Sequence, residues 1–151
     1  MRNLTRDEMF GLPVIICLVL IVAMRFAMPA GLWLDISDLA VHDTAHGAIP
    51  EMTWDRNIVR PFDGSWQVVI RIRQGDGWVT HCSTPTNFRP YLPDSALPVP
   101  LRLDWFTDDY ECYERMPCGE YDMTATWRVW PGSMLFERTV TRGAKFSVVC
   151  P

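Results

Sequence analysis

YDMTATWRV, residues 121–129, sets Tyr121, Met123, Ala125, Trp127 and Val129 at every second position with Asp122, Thr124, Thr126 and Arg128 between them. Side chains alternate across a strand, so this spacing predicts a β-strand with one buried and one wet face. The same period recurs upstream, where Trp66, Val68, Ile70 and Ile72 alternate with Gln67, Arg71 and Arg73. Gln74-Gly75-Asp76-Gly77 then supplies a hairpin loop, and Trp78 to Cys82 the returning strand. Downstream, Trp130-Pro131-Gly132-Ser133 suits a type II turn, with two short runs after it, Leu135 to Val140 and Phe146 to Val149, broken at Arg142-Gly143.

Between these hairpins the pattern changes. Pro90, Pro93, Pro98 and Pro100 lie between Asn87 and Pro100 and exclude a central strand, since proline lacks a ladder donor. They mark a long crossing or an edge. Leu101, Leu103 and Trp105 resume the alternation, which places Trp105 with Trp66 and Trp127 in the core. Asp35 to Glu51 scatters Ile36, Leu39, Val41 and Ile49 at a spacing that fits neither period, and reads as part of a stalk or lead-in over residues 30–51.

The amino-terminal third is of another kind. Met9 to Met24, MFGLPVIICLVLIVAM, carries no charge, and Arg25 is the only charge between Met9 and Pro29. About 20 mostly apolar residues cross a bilayer as a helix, so residues 9–29 are expected to span one, with Arg25 reaching the headgroups and Trp33 near the interface. A cleaved export signal is the competing reading, but around Ala27-Met28-Pro29-Ala30 every frame puts Met or Pro where a small residue is needed. Arg2 and Arg6 precede the run and only Arg25 abuts its other end, which favours a cytoplasmic tail over residues 1–8 and an exported domain over 52–151. The expected location is therefore the inner membrane, with the carboxy-terminal domain in the periplasm.

Charge and motifs narrow the function classes. From Asp35 onward there are 16 acidic and 11 basic residues, and no Lys/Arg cluster dense enough to track phosphates, so nucleic acid is not an expected partner. Ser65, Ser83, Ser95, Ser133 and Ser147 sit in no G-x-S-x-G or S-x-x-K context. The chain is read as a non-catalytic one without a cofactor. His42 and His46, four apart with Asp43 between them, would share a helix face, yet a metal needs a third ligand and His81 is distant; they are the nearest approach to a metal site. Asp104, Asp108, Asp109, Glu111 and Glu114 lack the calcium-loop spacing and read as a solvated loop.

Cys17 lies in the apolar run, whereas Cys82, Cys112, Cys118 and Cys150 form an even set beyond it, as expected of two disulfides in an oxidising compartment. Of three connectivities, Cys82 with Cys112 and Cys118 with Cys150 is preferred, with Cys150 against Cys112 the competing choice. The aromatic residues best placed for contact with a partner are Trp130, at a hairpin tip, and Tyr110 and Tyr113, in the acidic loop.

Pro117-Cys118-Gly119-Glu120-Tyr121, leading into a strand with Trp127, a Pro-Gly hairpin and a closing Lys145-Phe146-Ser147-Val148, resembles the last two strands of an immunoglobulin-like or fibronectin type III-like sandwich. The resemblance implies an all-β, immunoglobulin-like β-sandwich preceded by one transmembrane helix, and a Tyr121 hydroxyl bonded to upstream backbone. Met123 stands where an immunoglobulin domain has a cysteine, so the usual intersheet disulfide is not expected. The combined expectation is a membrane-tethered accessory or assembly component of an envelope complex, with an unidentified membrane or periplasmic protein as its partner. A membrane-tethered metal or redox protein and a phage-encoded envelope or lysis factor are the alternatives.

Overall fold

The computed structural model describes residues 6–84, 87–93, 95, 100–106, 112–113, 116–132 and 137–151, without the side chains of 6–12, 24–26, 87 and 106. Helix α1 (Arg6–Ala27) leads into a β-rich body of nine strands: β1 (Leu34–Val41), β2 (Thr44–Ala45), β3 (Glu51–Ile58), β4 (Phe62–Gln74), β5 (Gly77–Ser83), β6 (Asn87–Tyr91), β7 (Leu101–Arg102), β8 (Gly119–Trp130) and β9 (Arg138–Val149). One sheet has the order β1-β3-β7 and the other β2-β9-β8-β4-β5, with β6 also paired to β4. All described pairings are antiparallel except that of β2 with β9.

The 121–129 alternation forms the centre of the larger sheet. Tyr121, Met123, Ala125, Trp127 and Val129 are buried, and β8 is in register with β4 from Ile72↔Tyr121 to Asp63↔Trp130. From β4 the residues Trp66, Val68, Ile70 and Ile72 join the same face, and from the smaller sheet Leu34, Ile36, Met52 and Trp54 close over it. The Trp54 ring meets those of Trp66 and Trp127 edge-on at 5.8 and 5.9 Å, while Trp66 and Trp127 stack at 5.8 Å. Such offset and edge-to-face arrangements are the favoured aromatic geometries. The three indoles join the two sheets across the core.

Several local expectations are met. The Gly75-Asp76 loop joins β4 to β5 with Gly75 at φ +58°, the positive φ that a type II′ hairpin needs at its first loop residue. The proline-rich segment supplies an edge strand, since β6 contains Pro90 and among the described residues pairs only with β4.

Others are corrected. Residues 34–41 are no stalk: they form β1, and Trp33, Leu34, Ile36 and Val41 are core. The alternation was hidden because Asp38, at φ +51°, sits in a register shift between Ser37 and Ala40, which moves the inward positions from Leu34 and Ile36 to Val41. Trp105 lies in a 3-10 turn (Leu103–Phe106) and is half exposed, because the chain leaves strand geometry after Arg102. β9 runs through Arg142-Gly143 without a register break. Gly132 lacks the positive φ of a type II turn, and Ser133 lies outside the described residues.

Close packing of backbones fixes one glycine. A Cβ on Gly64 would lie 2.5 Å from the Arg128 carbonyl oxygen and 2.9 Å from the Phe62 ring. Gly64→Ala is expected to destabilise the domain by roughly 1–3 kcal/mol, the usual cost of overpacking, read as a lowered urea midpoint with an unchanged slope.

In α1 every described side chain over 13–23 is exposed, including Val14, Ile15, Leu18 and Val22. Among the described residues no helix is long and apolar enough to cross a membrane.

Candidate interaction surface

The chain changes sheets after β1, and this positions the histidines. The His42 amide continues the β1/β3 ladder by donating to the Glu51 carbonyl (2.9 Å), and Asp43 then accepts a hydrogen bond from the Ser147 amide (2.6 Å), turning the chain onto β9. His42 and His46 are consequently not on a helix, and the paired-imidazole arrangement expected of them does not form. Instead His46 Nδ1 lies 3.0 Å from the Met116 carbonyl oxygen. Its ligand atoms and those of Cys118 and Cys150 fall within 4.8 Å of one another, a grouping that no sequence spacing signals because it is made by the β2–β9 crossing.

The cysteines lie in two pairs at disulfide separation. Cys82 and Cys112 have Cα atoms 5.9 Å apart, and Cys118 and Cys150 5.7 Å, inside the range a disulfide spans. The first pair holds β5 to the segment before β8; the second closes the open end of the β8–β9 hairpin. His81, beside the first pair, has Nε2 3.1 Å from the Cys112 carbonyl oxygen and its ring edge-on to Tyr121 at 5.8 Å.

Tyr121 itself is fully buried, and its hydroxyl donates to the Pro117 carbonyl at 2.6 Å, the corner bond that the sequence pattern implied. Burial pushes its pKa up to about 12. A free phenol ionises near 10. Between those values the unfolded chain gives up the proton while the folded chain keeps it, so Tyr121's contribution is complete below pH 10 and is lost as pH rises towards 12. Wild type is expected to lose about 2 kcal/mol over that interval from this group. Tyr121→Phe lacks this alkaline loss but starts about 1 kcal/mol less stable at neutral pH, for want of one hydrogen bond; urea melts at pH 7 and pH 11 read both.

The aromatic contact residues divide. Tyr113 is buried, 1 % exposed, and belongs to the core rather than to a contact surface; its neighbour Cys112 pairs with Cys82 of β5. Tyr110 lies outside the described residues. Trp130 is half-buried on the outer face of β8, with its ring 5.3 Å from that of Phe88, which is 64 % exposed. Phe88 stands among prolines and carries no contact signal in the sequence, and the returning-strand assignment gives none to Trp78 and Val79.

Those last two residues lie at a sheet edge. Among the described residues β5 pairs with β4 alone, and Trp78 and Val79 are 39 % and 47 % exposed. Beside them Arg73 and Glu120 form an exposed ion pair at 2.6 Å, and a shallow groove continues past Tyr121 to Asp43 and Lys145. An edge strand with aromatic side chains is suited to pairing with an added strand.

A smaller cleft, about 100 Å³, opens between the sheets where Trp54, Trp66 and Trp127 meet Arg56, Arg89 and Tyr91. Arg89 lies over the Tyr91 ring at 6.0 Å, and Arg56 donates to the Ser95 carbonyl. Burial lowers the Arg56 pKa, and the neighbouring Arg89 charge adds to the effect. Burial likewise raises that of Tyr91. Elsewhere Asp104, the one described member of the acidic loop cluster with a placed side chain, is held by Arg102 through bonds of 3.1 and 2.6 Å.

No protein-family model, no curated protein and no solved structure matches this chain.

Proposed function

We propose that the protein is a single-pass membrane protein carrying an immunoglobulin-like sandwich in an oxidising compartment, the periplasm of a bacterium, where it serves as a non-catalytic accessory or assembly component of an envelope complex. The observation that carries this reading is an apolar α1, exposed on all described faces, joined directly to a domain with two cysteine pairs. The apolar part of α1, residues 9–27, extends about 29 Å at 1.5 Å per residue, close to the thickness of a hydrocarbon core. Over residues 9–29 the only charge is Arg25, near one end.

The strand order supports the immunoglobulin-like assignment. Taking β1, β3 and β7 as strands A, B and E, and β4, β8 and β9 as C, F and G, gives the neighbours A-B-E and G-F-C of that fold. The corner hydrogen bond of Tyr121 falls at the start of strand F, where such domains place it. Fold alone assigns no activity. The exposed β5 edge and the Phe88–Trp130 pair support contact with a protein partner, which α1 would keep at high effective concentration on the membrane surface.

Crosslinking in cells, mild detergent extraction and mass spectrometry test this. A partner recovered at near-equal abundance, and lost on Trp78→Glu/Val79→Glu, is expected; recovery of the chain alone would contradict an accessory role. A second reading, a tethered metal or redox protein, has one observation in its favour: with Cys118 and Cys150 reduced, His46 would complete a Cys2His set of the kind zinc accepts. Native purification with these two cysteines disulfide-bonded and no bound metal would remove it.

A further inference from the structure

We infer that the end of the sandwich nearest α1 is a docking face for an anionic bilayer, with arginines that have no carboxylate partner among the described residues receiving lipid phosphate groups; this rests on the membrane-anchor reading above. The link between helix and domain is too short to hold them apart. α1 ends at Ala27, and the carbonyl of Met28 already accepts a hydrogen bond from Arg138 at the start of β9 (3.1 Å). Met28, Ala30 and Leu32 pack against the core, and the Val59 amide donates to the Trp33 carbonyl. A residue spans at most about 3.6 Å, so this end of the domain stays within roughly 10 Å of the helix terminus.

What that end displays suits a headgroup layer. Val59 follows β3, Leu92 follows β6, and Phe88 and Trp130 form a ring pair on the outer face; Val59, Phe88 and Leu92 are about half exposed or more. Aromatic side chains are favoured at the water–lipid boundary, and each arginine near an anionic surface adds attraction.

The charges differ between the two ends. Away from α1, near the Gly75 hairpin, Arg71 and Arg73 are matched by Asp122 and Glu120 at 4.0 and 2.6 Å. Near α1, Arg56, Arg60, Arg89 and Arg128 form no ion pair with any described carboxylate, although Asp35, Asp63 and Glu137 are exposed at that end. Arg56 and Arg89 flank one cleft beside Tyr91, two like charges together, an arrangement that an anionic phosphate relieves.

The test uses the full chain in nanodiscs of phosphatidylcholine with or without phosphatidylglycerol, with phenylglyoxal labelling of each arginine read by mass spectrometry. Arg60, Arg89 and Arg128 are expected to label several-fold more slowly in the anionic discs, with Arg73 unchanged. Inserting about fifteen Gly/Ser residues between Ala27 and Met28, roughly 20 Å of reach, is expected to reduce that protection while the chain remains with the disc. Equal labelling of these arginines in both discs, with the chain disc-bound, overturns the docking face alone. A chain that does not co-purify with the discs at all overturns the anchor reading, and this inference with it.

Discussion

Trp54→Ala is expected to cost about 3–5 kcal/mol, the range for deleting a large buried aromatic from a core. The indole is the smaller sheet's contribution to the trio with Trp66 and Trp127, at centroid distances of 5.8 and 5.9 Å. With it gone, β3 retains Met52 and Ile58 as inward anchors, and the cavity between the sheets is lined by two stacked indoles that cannot collapse into it without leaving their register on β4 and β8. A domain of this size has in total about 5–15 kcal/mol, so the variant should be partly unfolded at 37 °C. Denaturant melts followed by near-ultraviolet circular dichroism of the detergent-purified chain measure the loss. Trp105→Ala, at a half-exposed position, is expected to change stability by less than about 1 kcal/mol, by contrast with its buried counterparts.

Removing both cysteine pairs is the other large change. Their partners are 30 and 32 residues apart, and closing loops of that length restricts the unfolded chain by about 4 kcal/mol each on the chain-entropy account. The pairs act at different places. Cys118–Cys150 closes the β8–β9 hairpin, whose strands also hold each other through a long ladder. Cys82–Cys112 restrains β5, an edge strand with a single neighbour among the described residues. Full reduction is therefore expected to unfold or nearly unfold the domain, and Cys82→Ala/Cys112→Ala is expected to loosen β5 first, seen as faster amide exchange over residues 77–83 than over 119–130. Identical melts with and without reductant would show that the cysteines are not bonded in the protein as purified.

The two outcomes bear on how much of the molecule could be read from its residues. Strands with unbroken alternation, β4 and β8, were legible because a side-chain period of two survives in the sequence when one face is buried throughout. β1 was not, because one bulge at Asp38 moves the inward positions and destroys the period within eight residues. Trp105 looked inward for the opposite reason: its spacing continues that of Leu101 and Leu103, but the backbone has already turned into a 3-10 geometry. The cysteines pair as preferred, fastening the proline-rich crossing and the last strand, and not as reflection of Cys150 through the Pro131-Gly132 turn onto Cys112 suggested, whereas the approach of His46 to Cys118 and Cys150 depends on the chain crossing between sheets, which local patterns do not encode. The contact surface was the least legible part. Tyr113 was chosen for its place in an acidic loop and is core, while Trp78 and Val79 were placed only in the returning strand of a hairpin and both are exposed. A strand at a sheet edge cannot be told from a central one by alternation alone. Recasting residues 34–41 as a core strand also bears on the proposed function, since without a stalk the domain begins within a few residues of the end of α1.

The most direct test of the account is to ask whether α1 holds the sandwich on the outer side of a membrane. Full-length chain and a chain beginning at Met28 behind a cleavable export signal, each with a protease-sensitive tag after Pro151, would be compared by alkaline extraction of membranes and by protease treatment of intact spheroplasts. The account predicts that the full chain stays in the alkali-washed membrane and loses its tag to external protease, while the shortened chain is released in soluble form. A full chain extracted by alkali, or a tag protected until the membrane is broken, would contradict it.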